Sequence, residues 1–179
     1  STPAKKYGIQ TGEPLFRALE KCPELVVVSP DYELYVEASR HFVEILRQFS
    51  PLVEQYSIDE AWVDMTGTQR LFGAPLLAAE KMRQRINDEL GFTVNIGIST
   101  NKLLAKMAGD FEKPNKIHTL FPEEIENKMW PLPVRDLFLV GAATEKKLNG
   151  LGIYTIGDLA NAELSVLRRK LGKQGETIW

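Results

Sequence analysis

Two strand-like segments joined by four residues constrain the fold of this chain more than any other feature. Residues 53–56 (VEQY) and 61–65 (AWVDM) carry the β-branched and aromatic side chains that favour strands, and residues 57–60 (SIDE) connect them. A connection of this length is typical of a β-hairpin. The pattern therefore predicts an antiparallel hairpin with two adjacent acids, Asp59 and Glu60, at its mouth.

The acid pair fits a magnesium site better than an ordinary surface turn. Neighbours in a regular strand point to opposite faces, so both carboxylates serve one site only where the backbone bends. Magnesium takes one or two carboxylates and fills its other positions with phosphates and waters, and two such ions promote phosphoryl transfer. The alternative is a turn with two solvated acids. The apolar flanks, around a connection where glycine or asparagine is usual, favour the metal site.

The types of secondary structure that the sequence predicts change near residue 122. Helical and strand-like patterns alternate before it, whereas only helix signals follow it. Pro122, Pro131 and Pro133 punctuate a predicted linker at this point. We expect an α+β domain followed by a helical domain. Helices are predicted at 11–19, 31–50, 75–90 and 101–111, and further strands at 25–28, 93–98 and 117–121.

Composition excludes several classes of protein. Hydrophobic residues make up 44% of the chain and charged residues 26%, which is an ordinary globular balance, and the apolar runs are too short to span a bilayer. No signal peptide opens the sequence. The single cysteine, Cys22, excludes an internal disulfide and fits a reducing cytosol, so a cytoplasmic location is predicted. His41 and His118 lie too far apart for a zinc-ligand spacing.

Positive charge is concentrated in the last quarter of the chain. The net charge of the whole chain is −2, but residues 135–175 hold seven basic and four acidic side chains, a local net charge of +3. Such a segment indicates binding to a phosphate backbone, with a solvated helical surface as the alternative. Lys102 and Lys106 share one face of the predicted helix at 101–111, and the same two alternatives stay open for them.

Several ordered motifs resemble those of the Y-family translesion DNA polymerases. Residues 56–67 (YSIDEAWVDMTG) resemble the family's signature hairpin, and residues 95–108 (NIGISTNKLLAKMA) resemble its next motif. Residues 113–115 (KPN) resemble the motif after that, while residues 1–12 resemble the end of the fingers motif. The segments SPDYELY and YSIDEAW favour the UmuC/ImpB-like branch over the DinB-like branch. The resemblance covers nearly the whole chain.

This resemblance implies a fold and an activity. The fold is α+β, with a ferredoxin-like polymerase palm that lacks its first strand, followed by a small helical thumb with a helix-hairpin-helix. Residues 1–30 would be the end of the fingers, 31–121 the palm and 122–179 the thumb, without a little-finger domain. The complete protein would be a DNA-directed DNA polymerase, a nucleotidyltransferase that binds damaged DNA and bypasses lesions during DNA repair and the SOS response. This chain alone is expected to be inactive.

The resemblance also implies an active site with two magnesium ions. Asp59 and Glu60 would be two of three catalytic, metal-binding carboxylates, and the third belongs to a strand that would precede this chain. Lys113 stands where the family places a lysine on the incoming triphosphate. Thr2 and Lys5 stand where the fingers offer a tyrosine and an arginine to the nucleotide. Lys5 keeps the charge but loses the bidentate fork of arginine.

The helical end resembles the DNA-gripping hairpin of the family's thumb. A glycine turn lets backbone N–H groups approach a phosphate, and helix N-termini favour anions. Leu139 replaces the first glycine of the motif. A plain helical hairpin held by its leucines is the alternative. The predicted DNA-binding residues are Gly141, Thr144, Lys146, Lys147, Gly150 and Gly152.

Partners and rival functions follow from the same resemblance. Primer–template DNA and deoxynucleoside triphosphates are the implied partners, a sliding clamp or another replication accessory protein is left open, and the chain is expected to self-associate. One rival is a non-catalytic DNA-binding module that uses the thumb. Another is a palm-fold cyclase, which would not need the helical hairpin at residues 134–159.

Overall fold

The computed structural model describes residues 1–179, with the exception of the side chain of Thr2. The chain divides into two compact units, Ser1–Tyr35 and Val36–Trp179. The first unit contains helices α1 (Thr2–Lys5) and α2 (Leu15–Lys21), of which α2 begins directly after a proline. Helix α3 (Tyr32–Arg47) starts in the first unit and continues into the second.

The strand predicted at residues 25–28 is absent from the structure of this unit. The segment has no regular secondary structure among the residues described, and Val26 and Val28 are 83% and 82% exposed. The β-branched side chains of such a segment form a strand only where a pleated, half-buried surface receives them. The sequence pattern was read correctly as β-prone, but the prediction of a strand here is wrong.

Helices α3 and α5 (Pro75–Leu90) supply the core of the α+β part of the second unit. Ile45 and Leu46 of α3 pack with Met82 and Ile86 of α5, and Phe49 joins them. The short helix α4 (Gln69–Phe72) precedes α5. Apolar residues at helical spacing place one face of each long helix inside this core, which leaves the charged faces in solvent.

The predicted hairpin is formed by β1 (Val53–Gln55) and β2 (Ala61–Val63). The strands are antiparallel, with Val53 opposite Val63 and Gln55 opposite Ala61. The ladder continues beyond the strands, because the Tyr56 amide donates to the Glu60 carbonyl at 2.9 Å. Val53, Ala61 and Val63 pack on the α3–α5 core, so the alternate residues face the other way.

A second strand pair lies on the same helical core. Strands β3 (Ile96–Ile98) and β4 (Ile117–Thr119) are parallel, and helix α6 (Lys102–Asp110) connects them. Gly97 lets α6 come close to β3, since a Cβ at this position would lie 1.9 Å from the carbonyl oxygen of Ala105. Among the residues described, β1–β2 and β3–β4 form two separate sheets, so β2 and β3 each have one unpaired edge.

The stretch predicted as a linker is folded. Pro122–Glu124 forms a 3-10 turn that leads into α7 (Ile125–Lys128), and Val134–Asp136 forms another such turn. Pro122 begins the first turn rather than breaking it, because the first turn of a helix needs no amide hydrogen at its start. The remaining helices are α8 (Ala142–Asn149), α9 (Ile156–Ala160), α10 (Leu164–Leu171) and α11 (Lys173–Ile178).

Helix α6 and the C-terminal helices share one apolar core. Leu104, Met107 and Ala108 of α6 belong to the same buried cluster as Leu148 of α8 and Leu167 of α10. The mixed α/β part and the helical part of this unit are thus continuous through α6 and through Leu120, which directly follows β4. Within the described residues, no helix is long and apolar enough to cross a membrane.

Candidate functional site

The turn of the acidic hairpin bends the backbone over residues 57–59, so that Asp59 lies in the bend and Glu60 directly follows it. The amides of Tyr56 and Ser57 both donate to the carbonyl oxygen of Glu60, at 2.9 and 3.1 Å. Asp59 lies in the turn, where its Oδ1 accepts a hydrogen bond of 2.7 Å from the Ser57 hydroxyl. Its side chain is exposed, so solvent or a ligand has access to the carboxylate. Asp59 and Glu60 therefore project from a bend rather than from a straight strand.

Glu60 is paired with a lysine from helix α6. The Lys106 ammonium donates to Glu60 Oε1 at 2.5 Å and lies 3.3 Å from Asp110 Oδ2, one helical turn further on. The Lys106 side chain is only 20% exposed. Partial burial opposes the charged form of Lys106, but hydrogen bonding to Glu60 and the charges of Asp110 and Glu60 outweigh it and raise the pKa of the lysine.

Asp110 links Lys106 to the lysine predicted to bind triphosphate. Lys113 lies 2.7 Å from Asp110 Oδ1, while its side chain is 59% exposed. Partial burial alone would raise the pKa of Asp110, but the hydrogen bond from Lys113 and the charge of Lys106 lower it below the ordinary value. Glu60, Lys106, Asp110 and Lys113 thus form a row of alternating charges, which we call the ionic chain.

Lys102 contacts the same face of the hairpin one turn earlier on α6. It forms an ion pair with Glu54, and its ammonium lies 5.6 Å from the centre of the Trp62 ring. The Trp62 indole N–H donates to the backbone carbonyl of Lys102 at 3.1 Å. The face shared by Lys102 and Lys106 is therefore turned toward the hairpin, and it is not a purely solvated surface.

The predicted fingers residues lie in the first unit. Lys5 is the last residue of α1 and is exposed, while the side chain of Thr2 lies outside what the structure describes. Lys113 belongs to the second unit, and its side chain is 59% exposed. A role for Thr2 and Lys5 stays a prediction.

In the loop before α8, a leucine adopts a backbone conformation that usually requires glycine. Leu139 has a φ of +73° and its side chain is 55% exposed. Val140 beside it is buried, and its carbonyl accepts a hydrogen bond of 3.0 Å from the Arg135 guanidinium. A left-handed conformation costs a residue with a Cβ roughly 1–2 kcal/mol. Packing of the neighbours therefore holds Leu139 in a strained geometry next to the start of α8 at Gly141.

The other predicted DNA-binding residues divide into exposed and buried groups. Gly141, Lys146, Lys147, Gly150 and Gly152 are exposed, and Gly152 adopts a φ of +79°. Thr144 is buried instead. Its hydroxyl accepts a hydrogen bond of 3.0 Å from Gln174, so its side chain holds α8 and α11 together. The predicted DNA-binding role of Thr144 stays a prediction.

Sequence reasoning did not select Asp110 or assign a partner to Lys106. The i,i+4 spacing of Lys106 and Asp110 was a readable signal for an ion pair on one helix face. Glu60 and Lys106 are 46 residues apart, and nothing in their local sequence indicates that they meet. Over the described residues, no group of three or more His, Cys, Asp or Glu side chains is placed to hold a metal ion together.

Known proteins share both the fold and the sequence. A solved structure titled "Insertion ternary complex of Dbh DNA polymerase" superposes with a TM-score of 0.89 at 26% identity, over 98% of this chain and 52% of that one. "DNA polymerase IV" of Clostridium acetobutylicum is 49% identical over the whole chain, and "DNA polymerase IV 2" of Bacillus subtilis is 44% identical over 98% of it. The fold and site define the palm and thumb of a DNA polymerase.

Family models then identify the family. The model of the impB/mucB/samB family matches residues 1–110, and a model of the IMS family HHH motif matches residues 122–153. The chain belongs to the impB/mucB/samB family, that is, to the Y family of DNA polymerases. The predicted family and fold class are confirmed. The family description carries the ImpB name that the motif wording favoured, whereas both relatives are named DNA polymerase IV.

The chain spans less than half the length of the curated relatives that it matches. It covers 45% of the Clostridium acetobutylicum protein and 43% of the Bacillus subtilis protein. The activity, substrates and partners of the whole protein are therefore taken up below as proposals.

Proposed function

We propose that the complete protein is a translesion DNA polymerase that extends a primer with deoxynucleotides opposite damaged template bases. In this proposal residues 1–30 end the fingers, residues 31–121 form the palm and residues 122–179 form the thumb. The observation that carries it is the acid pair at the hairpin bend, joined through the ionic chain to an exposed lysine. The acids proposed to bind metal and the lysine proposed to bind triphosphate therefore belong to one connected row of charged side chains.

Asp59 and Glu60 fit a magnesium site by their chemistry. Both offer hard carboxylate oxygens, and Asp59 is exposed at the bend. A pair suffices for the protein's share, since magnesium takes one or two carboxylates and completes its shell with phosphates and waters. When bound, magnesium neutralises developing charge on phosphate oxygens. The residues of this chain would hold it and keep both acids on the nucleotide side of the hairpin.

Lys113 would bind the triphosphate of the incoming nucleotide. Its ammonium is 59% exposed and is held near α6 by Asp110 at 2.7 Å. Lysine acts on phosphate as a mobile point charge with three donors, so it follows the triphosphate without a fixed fork geometry. Thr2 and Lys5 would assist from the fingers with one hydroxyl and one charge.

The thumb would grip the DNA backbone. The exposed glycines at 141, 150 and 152 and the exposed Lys146 and Lys147 lie around α8. Glycines give phosphate access to backbone N–H groups, and contacts of this kind position a duplex without reading its bases. Such a grip suits an enzyme that works on any sequence. A sliding clamp as a further partner stays a proposal drawn from the family resemblance, and a cytoplasmic location stays a proposal drawn from the single cysteine.

Replacement of Asp59 tests the proposed activity. In the complete protein, Asp59→Asn is expected to abolish primer extension and to leave DNA affinity nearly unchanged, because the carboxylate serves the metal and not the duplex. Glu60→Gln should also reduce the rate heavily. Asp64→Asn is the matched control, since Asp64 lies on the same hairpin but caps the amide of Thr66 at 2.9 Å. Extension by the Asp59→Asn protein at near wild-type rate would contradict the metal assignment.

A non-catalytic DNA-binding module is the second candidate. The local net charge of +3 over residues 135–175 and the exposed lysines of α8 favour DNA binding independently of the acid pair. The two candidates differ in one measurement. The module would bind DNA with the same affinity in the wild-type and Asp59→Asn proteins and would extend a primer in neither.

A further inference from the structure

Lys106 is shared between two acids that have different proposed tasks. Its ammonium donates to Glu60 at 2.5 Å and lies 3.3 Å from Asp110. Asp110 in turn is shared between Lys106 and Lys113, which it meets through different carboxylate oxygens. Lys106 therefore pairs with the carboxylate of Glu60 that is proposed to bind metal. Asp110 pairs with the ammonium of Lys113 that is proposed to bind triphosphate.

We propose that Lys106 and Asp110 are positioning residues that exchange partners when metal and triphosphate bind, and this rests on the proposed function. Glu60 would release the Lys106 ammonium when it holds a metal ion, and Lys113 would release the Asp110 carboxylate when it binds a triphosphate. Lys106 and Asp110 then pair with each other, one turn apart on α6. No charge is left without a partner in either state, which matters because an uncompensated and partly buried charge is costly.

The exchange makes the two outer sites respond in opposite directions. Asp110 draws Lys106 away from Glu60, so loss of its charge leaves Lys106 wholly on Glu60 and weakens metal binding. The same loss leaves Lys113 without its competitor and strengthens triphosphate binding. Loss of the Lys106 charge does the reverse, since Glu60 loses its competing cation and Asp110 is left wholly on Lys113. Damage to the fold would weaken both sites together.

Two variants and two matched controls separate these effects. Asp110→Asn and Lys106→Met each remove one inner charge. Glu112→Gln removes an acid two residues away that pairs with Lys116, at 3.4 Å. Lys102→Met removes a lysine on the same helix face that pairs with Glu54 and not with Glu60. Lys106→Arg retains a cation at the centre of the chain.

Binding is measured by NMR on the complete protein, without DNA and without turnover. Magnesium chloride is titrated while the carboxyl resonance of Glu60 is followed. Inorganic tripolyphosphate is titrated separately, in the presence of EDTA, while resonances of Lys113 are followed. Asp110→Asn is expected to weaken magnesium binding about three- to tenfold and to strengthen tripolyphosphate binding by a similar factor, as one partly screened charge allows.

Lys106→Met is expected to show the opposite pair of changes, and Lys106→Arg and both controls should stay within about twofold of wild type. Parallel losses at both sites, unchanged affinities in Asp110→Asn, or equal effects in the controls would overturn the exchange while leaving the proposed function standing. If the complete wild-type protein binds neither probe, the proposed site itself fails, and the exchange fails with it.

Discussion

Leu139 offers a direct test of strain at the thumb loop. Its φ of +73° lies in the left-handed region, where a Cβ costs roughly 1–2 kcal/mol and glycine pays no such cost. Glycine also gives the unfolded chain more freedom than alanine does, which lowers stability by roughly 0.4–1 kcal/mol. Because Leu139→Gly and Leu139→Ala both remove the 55% exposed side chain, their difference isolates the backbone. The glycine variant should be the more stable by about 0.5–1 kcal/mol.

Urea unfolding of the three proteins measures this difference. The midpoint should shift between the variants while the slope stays constant, which shows that the exposed surface on unfolding is unchanged. Position 143 supplies the control, because Ala143 is exposed within helix α8. Within a helix alanine is more stabilising than glycine, so Ala143→Gly should lower the free energy of unfolding by about 0.5–1 kcal/mol. An alanine variant at position 139 that equals or exceeds the glycine variant in stability would refute the strain.

Three further predictions follow from the same geometry. In the complete protein, Lys113→Ala should raise the KM for deoxynucleotide more than it weakens DNA binding, and a change in DNA affinity alone would place the lysine on the template surface. Replacing Lys146 and Lys147 with alanine should make the slope of log K against log salt shallower by about two, as titrations against duplexes of different sequence would reveal. Backbone hydrogen bonds to Thr155 and Tyr154 lower the pKa of Asp158, so its contribution to stability is present above its unfolded pKa and is lost as pH falls through the folded one. In acid unfolding, the Asp158→Asn protein should lack this pH-dependent loss of stability. A free energy of unfolding that falls with pH as steeply as in the wild type would contradict the prediction.

Local sequence determined the elements that short-range pattern controls. Helix α5 has the bounds 75–90 that its apolar spacing predicted, and the hairpin formed where β-prone segments flank a four-residue connection. The motifs also identified the family correctly. These features depend on periodicity and on turn length, which are visible within a few residues of the chain.

Long-range contacts were beyond the same reasoning. The strand predicted at 25–28 failed because a β-prone segment needs a partner, and the sequence does not say whether one is present. The pairing of Glu60 with Lys106 joins residues far apart in sequence. The core shared by α6 and the thumb joins residues far apart in sequence and was not anticipated either.

One side of helix α6 packs in the apolar core, and another side contacts the hairpin. Met107 and its neighbours are embedded among the thumb helices, while Lys106 holds the acidic hairpin. Close-packed interiors transmit displacement because they hold little empty volume. A tilt of the thumb would therefore reach the hairpin through α6, by way of the contacts that Lys102 and Lys106 make with it. For the proposed polymerase, the DNA contacts of the thumb and the positions of Asp59 and Glu60 would be mechanically coupled.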